Sequence, residues 1–194
     1  MSSFIVVGYY TADTVYENHA KVFIKSLKQY NILHYVERVK NLGSWHKNTG
    51  YKATFLKRML LKFPDMNIVY VDVDAAFLKY PKLFETLDCD IAVYELDREK
   101  CYGKNQKGKE VLSGTIFLRN NKKVFDIVER WEKECQNNPK IWDQKSLQKV
   151  LNKNFEKLPG EYCKIFNRMP WIRNPVIVHY QASRGIRKNK WKLQ

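Results

Sequence analysis

Residues 68–81, IVYVDVDAAFLKYP, decide both the fold and the place where its chemistry is expected. The opening residues are apolar or aromatic and favour extended backbone, which predicts a buried strand over 68–71. Two carboxylates, Asp72 and Asp74, follow this strand with one residue between them. Carboxylates are costly to bury and rarely belong to a core strand, so their position at the strand end needs an explanation.

Strands of this kind alternate with amphipathic helices along the first half of the chain. That alternation predicts an α/β fold with a parallel-rich sheet and helices on both faces. Segments 41–50 and 97–110 are polar and glycine-bearing, and we expect both to be surface loops, the second one mobile. The predicted strands are 4–10, 34–39, 68–71, 90–96, 114–120 and 175–180, and the clearest helical patterns lie in 14–30, 51–63 and 142–151.

The position of the Asp-x-Asp pair suggests a metal site. In open α/β sheets ligands bind beyond the carboxyl ends of the strands, and Asp72 and Asp74 lie at such an end. Two hard oxygen ligands near one point suit Mg²⁺ or Mn²⁺, which fill their other positions with water and substrate phosphates. The alternative interpretation is a surface turn, because Asp is common where strands end.

Composition bounds the class of protein. The 194 residues, of which 44% are hydrophobic, suit a single domain spanning 1–194, and the formal net charge of +15 favours anionic partners or surfaces. The sequence contains no run of about 18 apolar residues, so no membrane-spanning helix is expected. The four cysteines form no CxxC pair, which, with no recognisable export signal, predicts a cytoplasmic protein.

Five segments follow one another along the chain in the order FIVVGYYTAD, YKATFLKRMLLKFPDMNIVYVDVD, LSGTIFLRNN, WDQKSL and VIVHYQASRGIRK. In these segments and in their order, the chain resembles nucleotide-sugar glycosyltransferases with the GT-A fold, most closely glycosyltransferase family 8, which includes glycogenin and bacterial lipopolysaccharide galactosyltransferases. The resemblance implies a Rossmann-like fold with a mixed, mostly parallel central sheet flanked by helices. It also implies a hexosyltransferase that moves a sugar from a UDP-sugar to a hydroxyl of a glycan or glycoconjugate, with no specific nucleic-acid partner.

The resemblance assigns metal and donor roles residue by residue. Asp72 and Asp74 match the Asp-x-Asp that holds Mn²⁺, Asp72 also reaching the donor, and His179 matches the third protein ligand. Thr11 and Tyr16 match residues that meet uracil and ribose. As residues on a helix face they have the alternative interpretation of core positions. The other implied donor-binding residues are Lys52, Ser113, Gly114, Thr115, Arg184, Arg187 and Lys188.

Asp143 and Gln144 match the pair that faces the anomeric carbon in retaining members of the family. Asp143 is also well placed as a helix N-cap, which is its alternative interpretation. Retaining transfer would need no dedicated base, whereas inverting transfer would need a carboxylate near the acceptor hydroxyl, with Asp143, Asp97 and Glu95 as candidates. The resemblance favours retention.

Two other functions remain open at this point. A haloacid-dehalogenase-type phosphatase also uses a strand that ends in Asp-x-Asp, but it normally continues with Thr where this chain has Ala76. A nucleic-acid-binding module would suit the +15 charge and the many aromatic residues, although the basic residues form no recognition motif. The basic residues are also compatible with peripheral contact with anionic surfaces.

Overall fold

The computed structural model describes residues 3–182, in which strands and helices alternate. The strands of this part of the chain are β1 (Phe4–Thr11), β2 (His34–Val39), β3 (Asn67–Val71), β4 (Ala75–Phe77), β5 (Ile91–Asp97), β6 (Lys109–Leu118), β7 (Glu156–Lys157), β8 (Lys164–Ile165) and β9 (Ile177–His179). Its helices are α1 (Tyr16–Gln29), α2 (Trp45–Lys62), α3 (Leu83–Thr86), α4 (Arg98–Tyr102), α5 (Lys122–Asn137) and α6 (Asp143–Leu151), with a 3₁₀ turn at Gly160–Tyr162.

The main sheet has the strand order β2-β1-β3-β6-β5-β7. The pairs β1–β2, β1–β3 and β5–β7 are parallel, whereas β6 runs antiparallel to both of its neighbours, β3 and β5. The predicted α/β class with a mixed, mostly parallel sheet flanked by helices is therefore confirmed. Because β6 runs backwards, its middle residues lie beside the end of β3, with Thr115 opposite Val71.

Two apolar layers cover the two faces of this sheet. On one face α2, α5 and α6 bury Phe55 and Trp131 against the strands, and on the other α1 and α3 bury Phe23 and Phe84. Each side chain of this size contributes roughly 1.5–3 kcal/mol of hydrophobic stabilisation when buried. The strand ends between the layers are consequently held rigidly.

A small second sheet, in the order β4-β9-β8, carries the chain past the end of β3. Its antiparallel pairing sets Ala75 opposite His179, so that the histidine at the end of β9 comes next to the residues that follow β3. The backbone N–H of Tyr180 donates to the carbonyl of Asp74 at 2.9 Å and fixes this register.

Both predicted loops are partly regular, and these expectations were wrong in detail. Ser44 accepts a hydrogen bond from the N–H of Lys47, so α2 begins at Trp45 within the segment expected to be a polar loop. In the second segment Asp97 caps α4 in the same manner, and β6 already begins at Lys109. Short capping signals explain both errors, because they act without a long hydrophobic period.

Candidate active site

A cleft of about 480 Å³ opens at the carboxyl ends of β1 and β3, where the two helical layers part. The middle of β6 and the first turn of α6 complete its walls. Every residue predicted within the described chain to bind the metal, bind the donor or face the anomeric carbon lines this cleft. These residues are Thr11, Tyr16, Lys52, Asp72, Asp74, Ser113, Gly114, Thr115, Asp143, Gln144 and His179. Arg184, Arg187 and Lys188 lie outside the described residues.

The two aspartates are held by different elements. The hydroxyl of Tyr70 donates to Asp72 Oδ1 at 2.7 Å, and the Asp72 N–H donates to the carbonyl of Gly114 at 2.8 Å. Asp74 Oδ2 accepts the backbone N–H of Ala182 at 2.8 Å. The Asp-x-Asp turn is thus tied to β6 on one side and to the chain after β9 on the other.

Asp72, Asp74 and His179 form a cluster that could hold a metal ion. Each offers one ligand atom, and these atoms lie within 4.8 Å of one another. The His179 Nε2 lies 2.8 Å from the hydroxyl of Thr115, so Nδ1 is the ring nitrogen left for an ion when Nε2 carries the proton. Hydrogen-bonded orientation of this kind is usual for an imidazole that binds a metal.

Gly114 makes room for this cluster. A Cβ atom at that position would lie 3.1 Å from His179 Cε1 and 3.3 Å from Asp72 Oδ2, closer than side chains normally pack. A glycine in the middle of a strand weakens the strand, and it commonly marks a close approach of a ligand or side chain. Here the close approach is that of the imidazole and the carboxylate.

Burial sets the protonation of the cluster. Burial and the neighbouring charge of Asp72 raise the pKa of Asp74 to about 7. Burial lowers the pKa of His179 to about 4, so the imidazole is neutral at physiological pH. A neutral imidazole and a carboxylate that resists charge are groups that a divalent cation would stabilise in their ligating forms.

A buried ammonium joins this cluster to α6. Lys52 Nζ lies 3.1 Å from Asp72 Oδ1 and 3.0 Å from Asp143 Oδ2, and it donates to the Ser113 carbonyl at 3.0 Å. Burial alone would lower the pKa of Lys52, but Asp143 and Asp72 outweigh that effect and the net pKa shift is upward. Lys52 is therefore charged, and it is held in place by both carboxylates.

Asp143 does not cap α6, contrary to one of its two interpretations. The N-cap residue is Trp142, and the side chain of Asp143 turns to Lys52 and to the hydroxyl of Ser113, at 2.8 Å. The next residue, Gln144, accepts the N–H of Ser113 at 3.3 Å and donates to Glu110 at 2.6 Å. Both side chains thus contact β6 directly at the wall of the cleft.

Thr11 and Tyr16 line the part of the cleft that is formed by the end of β1 and the start of α1. Thr11 is buried and its hydroxyl lies 3.1 Å from that of Thr14, whereas Tyr16 is half-buried and borders the cleft. The alternative that both are merely core residues fits Thr11 better than Tyr16. An aromatic ring at the edge of a cleft is available for stacking.

Sequence reasoning missed several residues of the cleft. Trp45, Asn48 and Thr49 belong to the part of α2 that was expected to be a loop. Arg98 and Glu110 come from the second expected loop, and the capping residue Asp97 before α4 was a signal for Arg98 alone. Conversely, Asp97 and Glu95, two candidate bases, do not line the cleft, and Glu95 pairs with Lys109 and Lys157.

Comparison of the chain with known proteins identifies its family. The model of the nucleotide-diphospho-sugar transferase family matches residues 4–192. The chain belongs to this family. No curated protein matches the chain significantly.

Solved structures similar to this transferase are glycosyltransferases. One is involved in the glycosylation of the major capsid of PBCV-1, with a TM-score of 0.73 and 15% identity, covering 97% of this chain and 98% of that one. Apo GlyE of Streptococcus pneumoniae TIGR4 has a TM-score of 0.59 and 15% identity, and the match covers 93% of this chain and 55% of that one. The bifunctional WbbM has a TM-score of 0.58 and 13% identity, and the match covers 93% of this chain and 46% of that one. The transferase thus spans about half of the last two chains, and these likenesses show the fold.

The protein is a glycosyltransferase with a GT-A-type fold. Membership of the family implies a nucleotide-sugar donor and a glycan acceptor. Within residues 3–182 of the transferase, no helix has the length and apolar character needed to cross a membrane.

Proposed function

We propose that the transferase moves a hexose from a UDP-sugar to a hydroxyl of a glycan or glycoconjugate, with a divalent metal ion and with retention of configuration. The observation that carries the proposal is the convergence of Asp72, Asp74 and His179, with ligand atoms within 4.8 Å of one another in the cleft. We also propose that it is of the family 8 type, which the five sequence segments named above resemble. One domain, residues 1–194, would carry the whole activity.

Asp72, Asp74 and His179 fit Mn²⁺ or Mg²⁺. Two carboxylates and one imidazole leave coordination positions for water and phosphate oxygens, as these ions require, and the nitrogen ligand suits Mn²⁺ well. The bound ion would supply positive charge to the diphosphate that departs. Lys52 cannot replace it, because both flanking carboxylates already engage the ammonium.

The candidate donor-binding residues fall into groups according to the part of the donor that they would contact. Tyr16 and Thr11 are our candidates for the uracil and the ribose, on the side of α1. Arg184, Arg187 and Lys188 are the candidates for the diphosphate, since guanidinium groups match phosphate oxygens in pairs. The sugar would then lie beside residues 113–115 of β6, next to Asp143 and Gln144.

Retention is supported by the state of the candidate bases. Asp97 and Glu95 do not line the cleft, and Asp143 is buried and paired with Lys52. Glu110 does line it, but Gln144 hydrogen-bonds one of its oxygens and Arg98 lies 3.7 Å from the other. Each of these carboxylates thus lies outside the cleft or is already engaged by a neighbouring side chain, so we assign Asp143 and Gln144 to positioning and stabilising the anomeric carbon.

The family assignment favours the transferase over both alternatives. A phosphatase of the haloacid-dehalogenase type would use Asp72 as a nucleophile, yet Asp72 accepts from Tyr70 and faces Lys52. A nucleic-acid-binding module would need no acidic cleft. We also propose a reducing, cytoplasmic location, because all four cysteines are free.

Thermal denaturation with Mn²⁺ and nucleotides tests the proposal. UDP, UDP-glucose, UDP-galactose and UDP-rhamnose are compared with GDP and CDP. A UDP ligand at a hundredfold excess over its Kd should raise Tm by on the order of 5–10 °C, and only with metal present. Asp74→Asn should remove the shift, whereas the exposed Asp65→Asn should keep it.

Two outcomes contradict the proposal: a full shift in Asp74→Asn, or equal shifts with and without metal. For stereochemistry, ¹H NMR of the sugar released during slow donor hydrolysis should first show the α anomer of an α-linked donor. Initial release of the β anomer would establish inversion instead.

A further inference from the structure

Two tryptophans form an aromatic corner at the rim of the cleft. The rings of Trp45, at the start of α2, and Trp142, just before α6, meet edge to face with centroids 6.0 Å apart. Both side chains line the cleft, and Trp142 is 40% exposed. We call these two residues the tryptophan corner.

The position of Trp142 is unusual for its residue type. It is the N-cap of α6, its side chain makes no capping hydrogen bond, and its carbonyl accepts the N–H groups of Lys145 and Ser146. Ser, Thr, Asp and Asn are strongly preferred at this position, because their side chains satisfy the free N–H groups of the first turn. A large apolar ring here neither caps the helix nor enters the core. Such a departure from local preference is typical of a functional site.

The tryptophan corner belongs to the sugar end of the cleft. Trp142 immediately precedes Asp143 and Gln144, and Trp45 lies two helical turns before Lys52 on α2. Tyr16, our candidate for the nucleotide base, lies on α1, in the layer that covers the opposite face of the sheet. A donor that extends from Tyr16 past the metal cluster therefore points its sugar toward the corner.

Exposure separates the corner from the donor's own sugar position. Asp143, Lys52 and Ser113 are each at most 4% exposed and contact one another, so they form a buried part of the cleft wall. Trp142 lies outside that buried group, and its neighbour in sequence, Ile141, is also 40% exposed. A group that binds there arrives from solvent and lies next to the donor sugar.

We infer that the tryptophan corner is the docking surface for a pyranose ring of the acceptor; this inference rests on the proposed function. One face of a pyranose carries axial C–H bonds and is apolar, and it packs well against an indole ring. The hydroxyls at the ring edge stay free to point toward Gln144 and Glu110, which line the cleft beside the corner. The acceptor is thus recognised as a carbohydrate by its shape and apolar face.

The test is saccharide binding to the full-length protein labelled with ¹⁵N at the indole nitrogens. Methyl glucopyranoside, methyl galactopyranoside and methyl rhamnopyranoside are titrated in the presence of saturating UDP-glucose or UDP-galactose and of Mg²⁺, which is diamagnetic and leaves the indole signals sharp. At least one glycoside should shift the Trp45 and Trp142 signals with a Kd on the order of 1–10 mM. Trp171, which lies outside the cleft beneath Lys100, should not respond.

Variants separate stacking from folding. Trp142→Ser supplies a favoured capping residue, so α6 should form and the protein should keep its Tm, while glycoside binding should weaken at least tenfold. Trp142→Phe keeps an aromatic face and should retain binding within about threefold. Trp171→Phe is the matched control and should bind as the wild type does.

Each contrary result overturns the inference. The first is that none of the three glycosides shifts the tryptophan signals at concentrations up to about 100 mM. The second is that Trp142→Ser binds glycosides as tightly as the wild type does. The third is that the UDP-sugar alone shifts the Trp142 signal and that glycosides then cause no further shift. The last would place the donor's own sugar at the corner. If UDP with Mn²⁺ raises Tm but no glycoside binds, this inference alone is wrong. If UDP with Mn²⁺ does not raise Tm, the proposed function is wrong as well.

Discussion

Gly114 is the residue whose side chain matters by its absence. A Cβ atom there would lie only 3.1 Å from the imidazole of His179 and 3.3 Å from the carboxylate of Asp72, so one of these groups would have to shift by a few tenths of an ångström. Precise placement of metal ligands depends on such support, and displacing supporting groups typically weakens metal binding by 10–100-fold.

Gly114→Ala should therefore lower Mn²⁺ affinity by about tenfold or more, because one of the proposed metal ligands must move. Isothermal titration calorimetry with Mn²⁺ measures the change. Gly50→Ala is the matched control: its new Cβ would meet only Cys135 Cβ, at an ordinary 3.9 Å. Unchanged affinity in Gly114→Ala would show that the site tolerates the added methyl group.

Asp74 should give the stability of the metal-free protein a specific pH dependence. Its pKa of about 7 in the fold lies above its ordinary value of 3.8, so folding favours the protonated form. The stabilisation is complete below about pH 4 and is lost as the pH rises through about 7. Asp74→Asn lacks this loss, so its advantage in unfolding free energy over wild type should grow between pH 4 and 7.

Chemical denaturation across this pH range, with a chelator present, measures the difference between the two proteins. With Mn²⁺ the trend should reverse, because the ion binds the ionised carboxylate and its stabilisation of wild type grows with pH. A pH-independent difference between wild type and Asp74→Asn would refute the raised pKa.

Individual site residues were predictable from the sequence to different degrees. Asp72 and Asp74 follow from the strand pattern and the cost of burying carboxylates. His179 came only from the family resemblance, because the pairing of β9 with β4 is a contact between distant parts of the chain. Asp143 was also interpreted as a cap, and that failed because Lys52 attracts its side chain. The capping preference of Asp143 depends on its neighbours in sequence, whereas its partner, Lys52, lies on another helix.

At the scale of elements, α2 and α6 are joined through buried charge. Lys52 extends from α2 between Asp72 and Asp143, and these contacts fix the α6 end that carries Gln144. Breaking a buried ion pair by removing one partner is strongly destabilising, since the other charge remains without compensation. The pair thus determines the spacing of the two helices at the cleft.

Lys52→Met should destabilise the protein by about 3–5 kcal/mol, because Asp143 stays buried without its ammonium. In the double variant Lys52→Met with Asp143→Asn, part of that loss should be recovered, giving a coupling of about 1–3 kcal/mol. Urea denaturation of wild type, both single variants and the double variant measures it. Additivity within about 0.5 kcal/mol would mean that the two residues act independently.

Helix α2 also offers a stabilising change. Gly50 lies in its interior with no close neighbour beyond Cys135, and glycine disfavours helix relative to alanine. Gly50→Ala should raise the unfolding free energy by about 0.5–1 kcal/mol and Tm by roughly 2–3 °C. A lower Tm in Gly50→Ala would indicate that the first turns of α2, after the N-cap Ser44, are not helical.

At the scale of the molecule, most of the architecture was predictable from alternating strands and helices, but the direction of β6 was not. The antiparallel insertion of β6 between β3 and β5 depends on long-range pairing, and an apolar strand has the same pattern in either direction. That reversal brings Ser113, Gly114 and Thr115 to the cleft from the middle of a strand. The sequence marked these residues through resemblance alone.

Because both apolar layers share one sheet, we expect the chain to unfold as a single unit. Differential scanning calorimetry should show one transition, with equal calorimetric and van't Hoff enthalpies. Two separable transitions would contradict the single-domain assignment of residues 1–194.

The floor of the cleft is acidic in a chain that carries a net charge of +15. The carboxylates of Asp72, Asp74 and Asp143 outnumber the ammonium of Lys52 that lies among them. Such a surface attracts a divalent cation and repels a naked pyrophosphate. We therefore expect compulsory-order kinetics, in which nucleotide association waits on cation loading and an excess of nucleotide that sequesters the cation slows turnover.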